Sequence, residues 1–168
     1  MNNDVFSQTS VPTGAGPPSP PRPTHRILVV DDEPCIRQLN TEALLHSGYH
    51  VDAAADGAAA WDTLQLKSYH LLVTDNDMPN VTGVDLLKKL HAAHMALPVI
   101  MTTGTLPTAE FTRYPWLKPH ASLIKPYTID ELVGTVREVL HAASSTPFQY
   151  SLPLGWRRQL PANGLHLI

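Results

Sequence analysis

Two periodicities alternate along the chain. The run RILVVD (26–31) is aliphatic and β-branched at nearly every position, the pattern of a short strand covered on both faces. Behind it Pro34 stands where a first helical turn accepts proline, Ile36, Leu39, Ala43 and Leu44 recur at helical spacing, and Gly48 supplies a stop. The cycle then repeats, with HVDAAA (50–55) leading into a helical pattern from Gly57 to about Leu66. HLLVTD (70–75) precedes a helix that starts behind Thr82 and Gly83 and carries Leu86, Leu87 and Leu90 on one side. VIMTT behind Pro98 and ASLIK (121–125) read as two more strands. The last helix opens on a capping box, Thr128 with Glu131, and lines up Ile129, Leu132, Val133, Val136, Val139 and Leu140 on one face.

Five strands alternating with helices of crossover length predict right-handed βαβ units and a doubly wound α/β domain, its parallel sheet covered on both faces. The patterned core runs over 25–143. Ahead of it, six prolines fall within 1–24 among almost no apolar side chains, so that stretch is expected to be a disordered, partly polyproline tail. Behind it, 144–168 holds one aromatic and basic patch, Trp156-Arg157-Arg158, and is shorter than an independently folding output domain needs.

Composition narrows the function. The chain has 168 residues, 12 Lys and Arg against 15 Asp and Glu, and a formal net charge of -3. With no larger cluster of basic residues there is no electrostatic footprint for direct nucleic-acid binding. A single cysteine, Cys35, excludes an internal disulfide and a four-thiolate metal site, which suits a reducing, cytoplasmic setting. No stretch approaches the roughly 20 apolar residues that span a bilayer, and the start lacks the basic and apolar regions of a secretory signal. The nine histidines are scattered, and only His91 and His94 share helical spacing, so each is read as a core or surface residue and not as a metal ligand.

In a doubly wound sheet, ligands collect outside the carboxyl ends of the strands. Here those ends read Asp31-Asp32-Glu33, Asp75-Asn76-Asp77, Thr102-Thr103-Gly104 and Lys125-Pro126. Carboxylates converging on one crevice repel one another, and a hard divalent cation with oxygen ligands, Mg²⁺ before Zn²⁺, relieves that repulsion. An aspartate beside such a cation, an ammonium and a hydroxyl can attack a phosphoryl group and hold the resulting acyl phosphate. Lys125 supplies the ammonium, while Thr103 and the backbone N–H of Gly104 supply hydrogen bonds to the phosphoryl oxygens.

ILVVDDEP (27–34), ADG (55–57), LLVTDNDMPNVTG (71–83), PVIMTTG (98–104) and ASLIKPY (121–127) together make the sequence resemble the receiver domain of two-component response regulators over 25–143. The resemblance implies a flavodoxin-like fold with strand order 2-1-3-4-5. It implies that Asp75 is the phosphoacceptor and that Asp32 and Asp75 bind Mg²⁺ directly with the backbone carbonyl of Asp77, Asp31 supporting the metal through water. It also implies that Thr103 and Lys125 contact the phosphoryl group, supported by Gly104 and by Pro126 behind a cis Lys125-Pro126 peptide. The chain is then a cytoplasmic phosphoacceptor, no enzyme in its own right, that takes a phosphoryl group from a sensor histidine kinase or histidine phosphotransfer protein. It signals through altered binding to a downstream protein, as a monomer or a phosphorylation-linked homodimer.

Three positions depart from the family pattern. Ser122 stands where an aromatic residue usually moves as the threonine engages the phosphoryl group. Gly104 replaces the usual alanine and leaves the site more open to hydrolysis. Pro115 and Pro119 interrupt the fourth helical region, LPTAEFTRYPWLKPH (106–120), where Tyr114 and Trp116 form either a docking patch or part of the core. Asp77, two residues beyond the phosphoacceptor, either caps the following turn or influences the lifetime of the acyl phosphate. Two other readings compete with this one. A pseudo-receiver would keep the fold as an interaction module, and a haloacid-dehalogenase-type phosphatase also uses an Asp-x-Asp motif after a buried strand, although its motif lies in the first strand.

Overall fold

The computed structural model describes residues 25–145. The proline-rich stretch 1–24 and the segment from 146 onward, with its Trp156-Arg157-Arg158 patch, lie outside the described residues. Strands β1 (Arg26–Val30), β2 (His50–Ala54), β3 (Leu71–Asp75), β4 (Val99–Thr103) and β5 (Ala121–Ile124) alternate with helices α1 (Pro34–His46), α2 (Gly57–Leu66), α3 (Gly83–Ala92), α4 (Thr108–Arg113) and α5 (Ile129–Ser145). All neighbouring strands are parallel, in the order β2-β1-β3-β4-β5. The order reverses between β1 and β3, which opens a crevice at their carboxyl ends.

The pleat of the central strands divides the core in two. Ile27, Val29, Leu71, Val73 and Ile100 pack with Leu44 of α1 and with Leu132, Val136, Val139 and Leu140 of α5. Leu28, Val30, Leu72, Val99 and Met101 pack on the other face with Ala60 and Leu64 of α2 and with Val84, Leu86, Leu87 and Leu90 of α3. This is the two-sided burial that continuous apolar strands predict. The edge strands β2 and β5 are only partly covered.

Helix α1 departs from its apolar pattern. Leu39 is 50% exposed, while Asn40 is buried beside Leu44. The rotation is stabilised by a hydrogen bond from Asn40 Nδ2 to Tyr127 Oη at 2.8 Å, a partner 87 residues away, so the amide enters the core already satisfied. Helix α4 has only six residues, and a 3₁₀ turn at Pro115–Leu117 follows it. Proline at 115 lacks the N–H that a continuing helix needs. Phe111 and Leu117 anchor this segment in the core, Tyr114 packs against it half-buried, and Trp116 is exposed and stacks on His91 with centroids 4.1 Å apart.

Two glycines permit close approaches beside the crevice. A Cβ on Gly83 would meet the Asp75 carbonyl oxygen at 2.6 Å, and one on Gly57 would meet the Val81 carbonyl oxygen at 2.5 Å. Gly83 therefore lets the start of α3 press against the end of β3, where its N–H donates to the Asn76 carbonyl at 3.2 Å. Thr82 and Asp85 complete a capping box there.

Candidate functional site

Asp31 follows the last residue of β1, and Asp75 is the last residue of β3, the neighbouring strand; both are buried. Asp32, next to Asp31, is exposed at the mouth of the crevice. Carboxylate oxygens of Asp31, Asp32 and Asp75 all lie within 4.8 Å of one another. The loop that carries the pair is tied down from two sides. Asp31 Oδ1 accepts from the Glu33 N–H at 2.9 Å, and Arg37 on the first turns of α1 donates to the Asp31 carbonyl at 2.7 Å.

Lys125 closes the far side. Its Nζ donates to Asp75 Oδ2 at 3.0 Å and to Asp31 Oδ2 at 3.3 Å, and the following peptide, Lys125-Pro126, is cis. Burial pushes the Asp31 carboxyl up, and the negative charge of Asp75 adds to that, against the opposing pull of the Glu33 N–H and Lys125. For Lys125 burial works against the ammonium, but the hydrogen bond to Asp75 and the charges of both carboxylates outweigh it, so its pKa lies above the ordinary lysine value. The lysine is thus a fixed positive charge at neutral pH.

Asp75 Oδ1 is the one buried side-chain polar atom without a hydrogen-bond partner among the described residues. A buried carboxylate oxygen left bare is costly unless something outside the chain completes it. An electrophile, a cation, or both in turn would do so. Three clustered carboxylates with a bare buried oxygen are a hard donor set that fits Mg²⁺.

The other predicted residues converge on the same crevice with a different pairing. Thr103, the last residue of β4, is fully buried. Its hydroxyl lies 3.1 Å from Asp77 Oδ2 and 2.7 Å from the Thr105 carbonyl, and it accepts from the Thr105 N–H at 3.2 Å. The Gly104 N–H donates to the same Asp77 Oδ2 at 3.2 Å. Of the two donors expected for phosphoryl oxygens, the Gly104 N–H is therefore engaged by Asp77, and the single Thr103 proton is shared between Asp77 and the Thr105 carbonyl; the Asp77 side chain lies outside the Asp31, Asp32 and Asp75 cluster. Ser122 is exposed on β5.

Three contributors escape a reading of the sequence. Arg37 holds the acidic loop through main-chain oxygens, which no motif announces. Asn76 bridges the site to α3, accepting from the Val84 N–H at 3.2 Å and donating to Asp77 Oδ1 at 3.2 Å. Asn40 reaches Tyr127, beside the lysine. Only the position of Asn76 between the two aspartates offered a signal.

Residues 27–137 match the model of the response regulator receiver domain, and the chain belongs to that family. It is 30% identical over 118 residues to the response regulator receiver protein CpdR of Brucella abortus, an alignment covering 70% of this chain and 98% of that protein. It is 38% identical over 117 residues to the response regulator Rre1 of Synechocystis, covering 68% of this chain and 51% of the relative. A third relative is the sensor protein EvgS of Escherichia coli, 32% identical over 142 residues that make up 84% of this chain and 12% of EvgS. The chain thus spans a small part of that sensor protein and about half of Rre1.

Among solved structures it resembles the response regulator TrrA of Thermotoga maritima in complex with Mg²⁺ and BeF, with a TM-score of 0.61 and 29% identity over 69% of this chain and 99% of that one. The chemotaxis response regulator CheY4 of Vibrio cholerae gives a TM-score of 0.63 and 27% identity over 69% of this chain and 98% of that one. Receiver domains are signalling phosphoacceptors and not conventional enzymes; they accept phosphate from histidine kinases and bind Mg²⁺ at an acidic pocket. No helix among the described residues is long and apolar enough to cross a membrane.

Proposed function

We propose that this chain is a working phosphoacceptor, loaded on Asp75 by a sensor histidine kinase or a histidine phosphotransfer protein and read out by altered partner binding. The observation that carries this reading is the bare, buried Asp75 Oδ1, held in place by the Lys125 bond to Oδ2 of the same carboxylate. Oδ1 attacks the phosphorus; the new O–P bond forms as the bond to the donor nitrogen breaks, and the donor imidazole keeps that electron pair. Lys125 offsets negative charge on the phosphoryl oxygens as well as on the nucleophile, and Thr103 with the Gly104 N–H donates to those oxygens.

Asp31, Asp32 and Asp75, with the backbone carbonyl of Asp77, are the groups that would hold Mg²⁺. When bound, the cation supplies positive charge that lets three carboxylates and a phosphoryl group share one crevice. The chain's own residues position the nucleophile and the donors.

An apolar groove of about 410 Å³ lined by Ile36, Leu39, Asn40, Lys125, Pro126, Tyr127 and Ile129 adjoins the lysine. Its exposed Leu39 offers a protein donor a contact surface beside the reacting carboxylate. A lone exposed cysteine and the absence of a spanning helix among the described residues support a cytoplasmic location.

The test is intact mass after incubation with acetyl phosphate, with and without Mg²⁺, on the native protein and on Asp75→Ala. A single Mg²⁺-dependent phosphoryl adduct that is absent from the variant is the expected result. No adduct on the native protein in any condition would return the chain to the pseudo-receiver reading.

A further inference from the structure

We propose that the Asp77 carboxylate is an internal occupant of the phosphoryl-oxygen position, holding the Gly104 N–H and standing against the Thr103 hydroxyl until a phosphoryl group on Asp75 displaces it. The proposal rests on the phosphoacceptor reading above and adds a step to it. Asp77 Oδ2 accepts from the Gly104 N–H at 3.2 Å and lies 3.1 Å from the Thr103 hydroxyl, whose single proton it shares with the Thr105 carbonyl at 2.7 Å. A phosphoryl oxygen is the same kind of acceptor, anionic and able to take two hydrogen bonds. The two anions cannot share these donors, because like charges at hydrogen-bond distance exclude each other.

The surroundings suit a side chain that leaves and returns. Asp77 is exposed, so the released carboxylate has water to enter. Met78, the next residue, is buried and anchors the main chain, so the exchange asks only for a side-chain rotation, and the Asp77 backbone carbonyl stays in place. The other carboxylate oxygen, Oδ1, is held at 3.2 Å by the amide of Asn76, which is itself fixed to the start of α3 through the Val84 N–H. Loading Asp75 would therefore release Asp77 from β4 and from Asn76 together. In the free protein the same contacts keep the donors from binding other anions.

The experiment uses beryllofluoride with Mg²⁺ as a non-transferable stand-in for the phosphoryl group, on the ¹⁵N-labelled full chain and on Asp77→Ala and Asp77→Asn. Without additives, the Gly104 amide should exchange roughly tenfold faster in Asp77→Ala than in the native protein, the loss expected for one hydrogen bond to a charged acceptor. Beryllofluoride should bind Asp77→Ala at least about fivefold more tightly than native, the direction opposite to that of a residue that merely supports the site. Asp77→Asn removes the charge but keeps an oxygen acceptor, so its affinity should fall between the two.

Unchanged Gly104 exchange in Asp77→Ala, or beryllofluoride binding that is equal or weaker, overturns the proposal while leaving the phosphoacceptor reading intact. Equal gains in Asn and Ala variants overturn the competition for donors and leave simple charge repulsion. If the native protein and both variants all fail to bind beryllofluoride, the phosphoacceptor reading fails and takes this proposal with it.

Discussion

The ammonium of Lys125 donates to Asp75 Oδ2 at 3.0 Å and leaves Oδ1 of the same carboxylate buried and without a partner. One oxygen is neutralised and oriented, while the other is available for chemistry. The division follows from topology, because β1, β3 and β5 bring Asp31, Asp75 and Lys125 to one end of the sheet from positions up to 94 residues apart.

Removing the lysine should expose the cost of two buried carboxylates side by side. In Lys125→Met the partly exposed ammonium no longer offsets Asp31 and Asp75, and we expect a loss of about 2–4 kcal/mol, somewhat less than for a fully buried pair. Urea denaturation of both proteins measures it. Added Mg²⁺ should recover part of the loss, since a cation at the carboxylates replaces the missing charge.

Mg²⁺ itself should stabilise the native fold by mass action, by roughly 2.7 kcal/mol at a concentration 100-fold above its Kd. Asp32 is exposed and has no shared burial to lose, so Asp32→Asn should fold with nearly native stability. The Mg²⁺-dependent rise in Tm should nevertheless shrink or vanish in that variant. A full-sized shift in Asp32→Asn would remove this residue from the cation's ligands.

Two glycines at the crevice should respond differently to an added methyl group. Gly83→Ala places Cβ 2.6 Å from the Asp75 carbonyl and 2.9 Å from Asn76 Cα, backbone atoms that cannot step aside. A destabilisation of about 1–3 kcal/mol is expected, with slower phosphorylation as the end of β3 shifts. At Gly104 the nearest atom to an added Cβ is Asp77 Oδ2 at 3.9 Å, an ordinary contact, so Gly104→Ala should stay within about 0.5 kcal/mol of native. Thermal melts of the pair separate the two cases.

Acid should weaken the opposite end of the sheet. His70 Nδ1 accepts from the Arg26 N–H at 2.9 Å, and His120 Nδ1 accepts from the Val99 N–H at 3.2 Å, roles open only to an unprotonated nitrogen. Burial pushes both pKa values below the ordinary 6.5, and for His70 the neighbouring His25 pushes further. Because the folded value lies below the unfolded one, the unfolded chain binds the proton first. Their contribution is fully present above about pH 6.5, declines as pH falls through that value, and is gone below the folded pKa. Urea midpoints measured from pH 7.5 down to about pH 5 should fall, and His120→Asn, which keeps a side-chain acceptor that does not titrate, should flatten the slope.

The strands and the meeting of their acidic and basic ends were legible in the sequence because both depend on local pattern: apolar runs of strand length, each closed by a polar residue. Leu39 shows where that logic stops. Helical spacing placed it with Leu44, but Asn40 found Tyr127 across the fold and turned the helix, and no local pattern encodes a partner that distant. The pairing of Asp77 with Thr103 and Gly104 was hidden for the same reason. Sequence identifies donors and acceptors, but several carboxylates crowd the strand ends, and only coordinates show that Asp77 is the one beside Thr103 and Gly104.

The phosphoryl group is expected on Asp75 and nowhere else. Borohydride reduces an acyl phosphate to an alcohol, so treating the loaded protein and mapping its peptides locates the attachment chemically. Homoserine in place of Asp75, at that position alone and only when Mg²⁺ was present during loading, is the predicted result. Loaded protein with an intact Asp75 and reduction at Asp31, Asp32 or Asp77, or phosphate recovered on a histidine, would remove Asp75 as the phosphoacceptor.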